Sequence, residues 1–184
     1  MPYSCIVKQG NLLDEEDATF IVNASNTTMM LGSGVSDAFR KKCGAILQHE
    51  MIEKLRSLGH ALQKGDVIAT SPGKATHFKY ALHAAIMDYN QGVRYIDKMP
   101  TVKDICRSLE NIALYLQWYA DTHPGELVKL VLPLMGTGVG GLDAREVLEC
   151  YRDYFQKEVP FECQVIVYTH SERAFQTARE ICLG

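Results

Sequence analysis

The sequence predicts a three-layer α/β/α sandwich around a mixed, mostly parallel sheet. Three observations carry this. Six short runs rich in Val, Ile, Leu and Tyr alternate with segments of helical spacing. Two glycine-rich turns each follow a strand pattern and precede a helical one. The chain of 184 residues, 47% of them apolar, is long enough for one domain over 1–184 with a substantial core.

The strands are expected at Ser4–Lys8, Thr19–Asn23, Asp66–Ser71, Tyr80–Met87, Leu127–Leu134 and Gln164–Tyr168. Near-continuous apolar runs of this length fit strands covered on both faces. The first two precede any helix, which points to a mixed sheet with antiparallel pairing near its edge. Helices are expected at Gly34–Lys42, Ala45–Leu58, Thr101–Asp121, Asp143–Lys157 and Ser171–Leu183. In Thr101–Asp121, Val102, Ile105, Leu109, Ile112, Leu116 and Tyr119 recur at three- and four-residue spacing, one buried stripe. Ser171 is a natural N-cap. The stretch Asn90–Pro100 reads as a loop entering the long helix.

Composition excludes several classes. No apolar run approaches 18 residues, so no membrane span is expected. The opening "MPYSCIVKQGN" lacks the basic and apolar segments of a secretory signal. The 6 cysteines form no C-x-x-C pair and sit in apolar settings, as in a reduced, cytoplasmic protein. Net charge is −3, and the densest basic spot, Arg40–Gly44, reads as the solvated C-terminal end of a helix. Nucleic acid is therefore not expected as the main partner.

The candidate site lies in the glycine turns. In "IVNASNTTMMLGSGVSDAF", Ile21–Phe39, Asn23 and Asn26 stand where a strand ends, and Gly32 and Gly34 open the next helix. Asparagine is a poor strand and helix former, so a chain that keeps two at one corner, beside a glycine turn, is building a site there. In "LPLMGTGVGGLDAREV", Gly136, Gly138, Gly140 and Gly141 crowd around Thr137 after the strongest strand pattern. With a helix starting near Leu142, such a turn can cradle a pyrophosphate on backbone N–H groups. In open α/β sheets ligands sit beyond the carboxyl ends of the strands, where both turns fall.

Gly136, Gly138 and Gly141 also satisfy G-x-G-x-x-G, which raises an NAD-binding Rossmann-type reading. The turn lies late in the chain, however, and the next strand ends in Tyr168, Thr169 and His170 instead of an acidic residue.

Four segments together resemble the macrodomain family, whose members bind ADP-ribose: "GNLL" at Gly10–Leu13, "VNASN" at Val22–Asn26, "LGSGV" at Leu31–Val35 and "PLMGTGVGGL" at Pro133–Leu142. "KGDVIATSPG" and "YALHAA" add weaker matches in the expected order. The resemblance implies a mixed six- or seven-stranded sheet between helices. It implies that Asn26 contacts the distal ribose and is the one candidate for a catalytic contact, while Asn23 braces the loop. Gly32, Ser33, Gly34 and Val35, and Gly136, Thr137, Gly138, Val139, Gly140 and Gly141, would wrap the diphosphate with backbone amides. Asn11 and Leu12 would meet the adenine, with Tyr168 packed on it or serving as a core tyrosine at a strand end.

Three positions depart from the family pattern. Asn11 replaces an Asp that accepts from the adenine amino group, which implies relaxed base preference. Ser36 replaces the Asp that one hydrolase branch uses to activate water, and Asp37, about 100° further round a helix, faces elsewhere. Gly140 stands where many hydrolases carry an aromatic. The implied functions are hydrolysis of ADP-ribosyl groups on proteins or of O-acetyl-ADP-ribose, or non-catalytic binding of ADP-ribose or an ADP-ribosylated protein. Neither requires a metal or cofactor.

Other constellations read as structural. Cys43, His49 and His60 lack a third group to make a nucleophile. His77 and His83 lack a third metal ligand, and His83, mid-strand, reads as a satisfied buried histidine. Trp118 and Tyr119 read as packing, and no G-x-S-x-G surrounds Ser33 or Ser36.

Overall fold

Strand β2, Ala18–Asn26, is the spine of the molecule. It pairs in parallel with β4, Phe78–Met87, on one side and with β5, Val128–Pro133, on the other. Beyond β5 lie β6, Cys163–Thr169, and β1, Ser4–Gln9, also parallel. Beyond β4 lies β3, Val67–Thr70, antiparallel. The computed structural model describes residues 3–90 and 92–182. Its single sheet has the order β1-β6-β5-β2-β4-β3.

This corrects one expectation. The two opening strands do not supply the antiparallel edge: β1 and β2 are separated by β6 and β5 and run the same way. The segment between them crosses over, through a 3-10 turn at Leu12–Asp14 and a left-handed Asp17 at φ 57°. The antiparallel partner is the short β3 at the far edge.

Alternate residues of β2 face opposite layers. Phe20 and Val22 meet the longest helix, α4, Val102–Thr122, together with α5, Ala144–Phe155, and α6, Glu172–Cys182. Ile21 faces α1, Val35–Cys43, and α2, Ala45–Leu58. The expected stripe Ile105, Leu109, Ile112, Leu116 and Tyr119 is buried, and Thr101 starts α4 with a reciprocal capping box to Asp104. Leu47 and Met51, one turn apart on α2, fill the other layer; truncating either to Ala would cost about 2–5 kcal/mol. A short helix α3, Tyr95–Lys98, interrupts the stretch expected to be only a loop. Leu183, the last residue of the expected C-terminal helix, lies outside the described residues. Cys43, Cys150 and Cys163 are buried, while Cys5 and Cys106 are half-buried. No helix among the described residues is long and apolar enough to cross a membrane.

Candidate functional site

The five parallel strands end at one edge of the sheet, because Cys5, Val165, Leu130 and Phe20 lie level across four of them and Phe20 is level with Tyr80 on the fifth. Asn11 follows β1, Tyr168 nearly ends β6, the Gly136–Gly141 turn follows β5, and Asn26 ends β2. Asn11, Asn26, the second glycine turn and Tyr168 therefore lie along one edge, although Asn11 and Tyr168 are 157 positions apart (168 − 11) in the chain.

Each loop is held by a different device. Asn26 Oδ1 accepts from Thr28 N at 3.1 Å, Thr28 Oγ1 at 2.7 Å and Met30 N at 3.3 Å, and its Nδ2 donates to Met30 O at 2.9 Å. One N–H of that amide is left without a protein acceptor among the described residues. Gln48 on α2 then pins the following residues, accepting from Leu31 N and donating to Met29 O, both at 2.7 Å. Sequence reading missed Gln48, because only the tertiary contact of α2 with this loop gives it a role.

Gly34 is the N-cap of α1 at φ 63°, a left-handed conformation that favours glycine, and no side chain caps the helix. The amides of Gly32, Ser33, Gly34 and Val35 donate to no protein acceptor among the described residues. Uncapped helix N-termini of this kind attract anions.

The second turn works differently. The helix after it starts at Ala144 rather than near Leu142, and its own Asp143 caps it by accepting from Arg145 N. The dipole end of α5 is thus already satisfied. The turn is drawn tight by Leu142 N donating to Gly136 O at 2.9 Å and Gly141 N to Gly138 O at 3.1 Å. The amides of Gly138, Val139 and Gly140 stay without protein acceptors among the described residues. A Cβ on Gly140 would lie 2.6 Å from Gly136 O and 2.7 Å from Pro100 Cγ. No side chain, still less an aromatic, fits there.

Pro100 closes a bridge between the loops. At its far end Asp88 accepts from Thr27 Oγ1 at 2.9 Å and from Asn90 N at 3.0 Å. The segment after β4 thus joins the Asn26 turn to the second glycine turn.

At the β1 end, Asn11 Oδ1 accepts from Leu13 N at 3.0 Å and caps the 3-10 turn. Leu12 is buried beneath it. Tyr168 is half-buried, and its hydroxyl donates to Glu15 Oε2 at 2.6 Å. Glu15, which sequence reading missed, also holds Lys8 at 2.8 Å and Lys129 at 2.9 Å. Burial raises its pKa, but hydrogen bonds from Lys8, Tyr168 and Lys129 outweigh that and bring it to about 2. Burial, and then the Glu15 carboxylate, push the Tyr168 phenol above its usual range.

Asn23 and Ser36 turn inward. Ser36 is 5% exposed, and its Oγ donates to Asn23 Oδ1 at 3.0 Å. Asn23 Nδ2 meets His83 Nδ1 at 3.0 Å, and His83 Nε2 meets Thr70 Oγ1 at 2.8 Å. Asn23 thus braces the sheet under the loop, and His83 is the satisfied buried histidine expected. Asp37 faces the other way and pairs with Arg40 and Lys41. His77 is committed to Leu13 O at 2.6 Å. Burial pushes the Cys43 thiol up to about 11 despite nearby Lys42 and Lys74, so it is protonated near neutral pH.

The sheet order differs from the 3-2-1-4-5-6 order of dinucleotide-binding doubly wound sheets, which sets aside the Rossmann reading. Solved structures share the architecture found here. The Oceanobacillus iheyensis macrodomain with ADP superposes with a TM-score of 0.75 at 24% identity, over 95% of this chain and 87% of that one. The Trypanosoma brucei macrodomain in complex with ADP-ribose gives 0.74 at 20%, over 98% and 69%. Among sequence relatives, an uncharacterized protein of Aquifex aeolicus is 28% identical over 173 residues, covering 94% of this chain and 93% of its own length. An uncharacterized protein of Pyrobaculum aerophilum is also 28% identical, over 92% and 86%. The Macro domain family model matches residues 22–151, from the middle of β2 through both glycine turns and into α5, and by that match the chain belongs to the Macro domain family.

Proposed function

We propose that the cleft at the carboxyl edge of the sheet binds ADP-ribose, free or attached to a protein. The observation that carries this is the pair of glycine turns, whose seven amides at 32–35 and 138–140 have no protein acceptor among the described residues. Two such amide arrays suit a diphosphate without a lysine cluster. The free N–H of Asn26 suits a ribose hydroxyl, and Asn11, Leu12 and Tyr168 suit a purine at the β1 end. The bound ADP and ADP-ribose of the macrodomain structures support the same assignment.

Of the two functions within this reading, binding is favoured over hydrolysis. The inward turn of Ser36, with Asp37 held by Arg40 and Lys41, leaves no carboxylate or hydroxyl of α1's first turn directed at a ribosyl ester, and Asn26 is not a base, so hydrolysis would have to draw on the substrate's own phosphate and a bound water. Calorimetric titration with ADP-ribose, AMP and NAD⁺ in one buffer tests the assignment. Micromolar or tighter binding of ADP-ribose over both controls is expected, falling roughly tenfold in Asn26→Ala. Preference for NAD⁺, or no binding, overturns it. Release of ADP-ribose from a modified protein would move the reading to the hydrolase.

A further inference from the structure

A cavity of about 650 Å³ opens around the β3 edge of the sheet, between α4 on one face and Glu50 and Lys54 of α2 on the other. It lies toward the amino ends of β2 and β4, opposite the cleft, and shares no lining residue with it. Small-ligand sites typically span roughly 300–1,000 Å³ with apolar and aromatic walls and a few placed polar groups.

The walls fit that description. Phe20 and Tyr80 stack at 5.5 Å between ring centroids, and Trp118 meets Tyr80 edge-on at 5.6 Å. Leu114 and Tyr115 complete the α4 side. Tyr119 is packing, as expected, but its neighbour Trp118 is 45% exposed and Leu114 is 69% exposed. A large aromatic and a leucine on one wall of an open slot form an apolar surface that water covers poorly.

The polar rim is uneven. Glu50 contributes a carboxylate, but its two oxygens are taken by Ser71 N at 2.8 Å and Ser71 Oγ at 2.5 Å. Asn111 Nδ2 is committed to Gly65 O and the Tyr115 hydroxyl to Val67 O. Lys54, one turn after Glu50 on α2, has no side-chain partner among the described residues. Lys79 contacts the Tyr119 hydroxyl and lies 3.4 Å from Glu126, which leaves ammonium protons over. Glu50 keeps its charge but its oxygens are turned to Ser71, and Lys79 already faces Glu126, so Lys54 is, among the described residues, the rim ammonium whose donors are all free.

We propose that this cavity binds a planar aromatic monocarboxylate, with its ring against Tyr80 and Trp118 and its carboxylate toward Lys54. Aromatic walls select a flat apolar body, and the free donors of the Lys54 ammonium, beside a Glu50 turned to Ser71, select one carboxylate.

Trp118 is the only tryptophan of the chain, so its indole N–H resonance reports on this cavity alone. The full chain is titrated with 2-naphthoate and, separately, with the neutral 2-naphthylmethanol. The expected result is a saturable shift of the indole resonance with 2-naphthoate, roughly millimolar or tighter, and roughly fivefold weaker binding of the alcohol. Lys54→Met, at an exposed position, removes the preference for the anion without unfolding the chain. Saturating ADP-ribose leaves the 2-naphthoate isotherm unchanged, which separates this result from the fate of the cleft assignment. No saturable shift, or equal binding of the two probes, overturns the proposal. So does a concentration-dependent indole shift without ligand together with a dimer in sedimentation, which would give the cavity to a second copy of the chain.

Discussion

Ser36 Oγ lies 3.0 Å from Asn23 Oδ1 and donates to it, which makes the first turn of α1 a support for the sheet rather than a wall of the cleft. The bond fixes everything downstream. With its oxygen occupied, Asn23 presents Nδ2 to His83 Nδ1, so His83 carries its proton on Nε2 and donates to Thr70, whose hydroxyl donates to Ser71 O at 3.0 Å. Each donor in the line points the same way, from α1 to the sheet edge, and such chains strengthen cooperatively.

Ser36→Ala therefore acts on stability. It leaves the buried Asn23 Oδ1 without its donor, at about 1–3 kcal/mol. Chemical denaturation should show that loss, while ADP-ribose affinity stays within about twofold by calorimetry. A tenfold loss of affinity at unchanged stability would put the hydroxyl in the cleft and reverse this assignment.

His83 makes the fold acid-sensitive. Burial lowers its pKa to about 3 from an ordinary 6.5. Below pH 6.5 the unfolded chain takes up a proton that the folded chain refuses. The stabilisation is complete above that pH and falls by about 1.4 kcal/mol per pH unit as pH drops toward 3. Glu15, held at about 2 against an ordinary 4.5, adds its own loss only below 4.5. Unfolding free energies measured from pH 6.5 to 4.5 should thus carry the His83 slope, and His83→Asn should flatten it while lowering stability at pH 7. An unchanged slope in the variant would mean that another group titrates.

Asn11 bears on base preference. Its oxygen accepts from Leu13 N at 3.0 Å and keeps a second lone pair, and its NH2 supplies donors, so the amide can both accept and donate. An adenine amino group can donate to the remaining lone pair, and a 6-oxo purine can accept from the N–H. We expect ADP-ribose and GDP-ribose to bind within about threefold of each other, and Asn11→Asp to shift preference to ADP-ribose by roughly tenfold through a charge-assisted bond. Strict adenine preference in the unaltered chain would rule this out.

Gly140→Ala tests the second turn. The added Cβ would sit 2.6 Å from Gly136 O, a backbone atom that cannot step aside. The turn must open, moving the amides of 138–140 together. A loss of ADP-ribose affinity of roughly tenfold or more is expected with a modest fall in melting temperature. Full retention of affinity would remove this turn from the site.

Local patterning made most of the fold legible. The expected α2 coincides with the observed Ala45–Leu58, and strand and helix ends elsewhere fall within about three residues, because period and capping are short-range properties. Pairing was not legible in the same way. That β1 joins β6, or that the antiparallel edge is β3, depends on crossovers that no local pattern encodes.

The site divides along the same line. Glycines, asparagines and their place after strands are sequence properties, and they alone marked both turns and Asn26. Glu15 and Gln48 gave no signal, because each acts through partners far along the chain: Glu15 through Tyr168 and Lys129, Gln48 through Met29 and Leu31. The sequence by itself determined the class of fold and placed the glycine turns after strands, since backbone conformation and apolar period are written residue by residue. Only the tertiary structure decided that Ser36 faces inward, that Asp143 rather than a ligand caps α5, and that Trp118 borders a second cavity. Those are directions of side chains, set by which neighbours packing brings within hydrogen-bond reach.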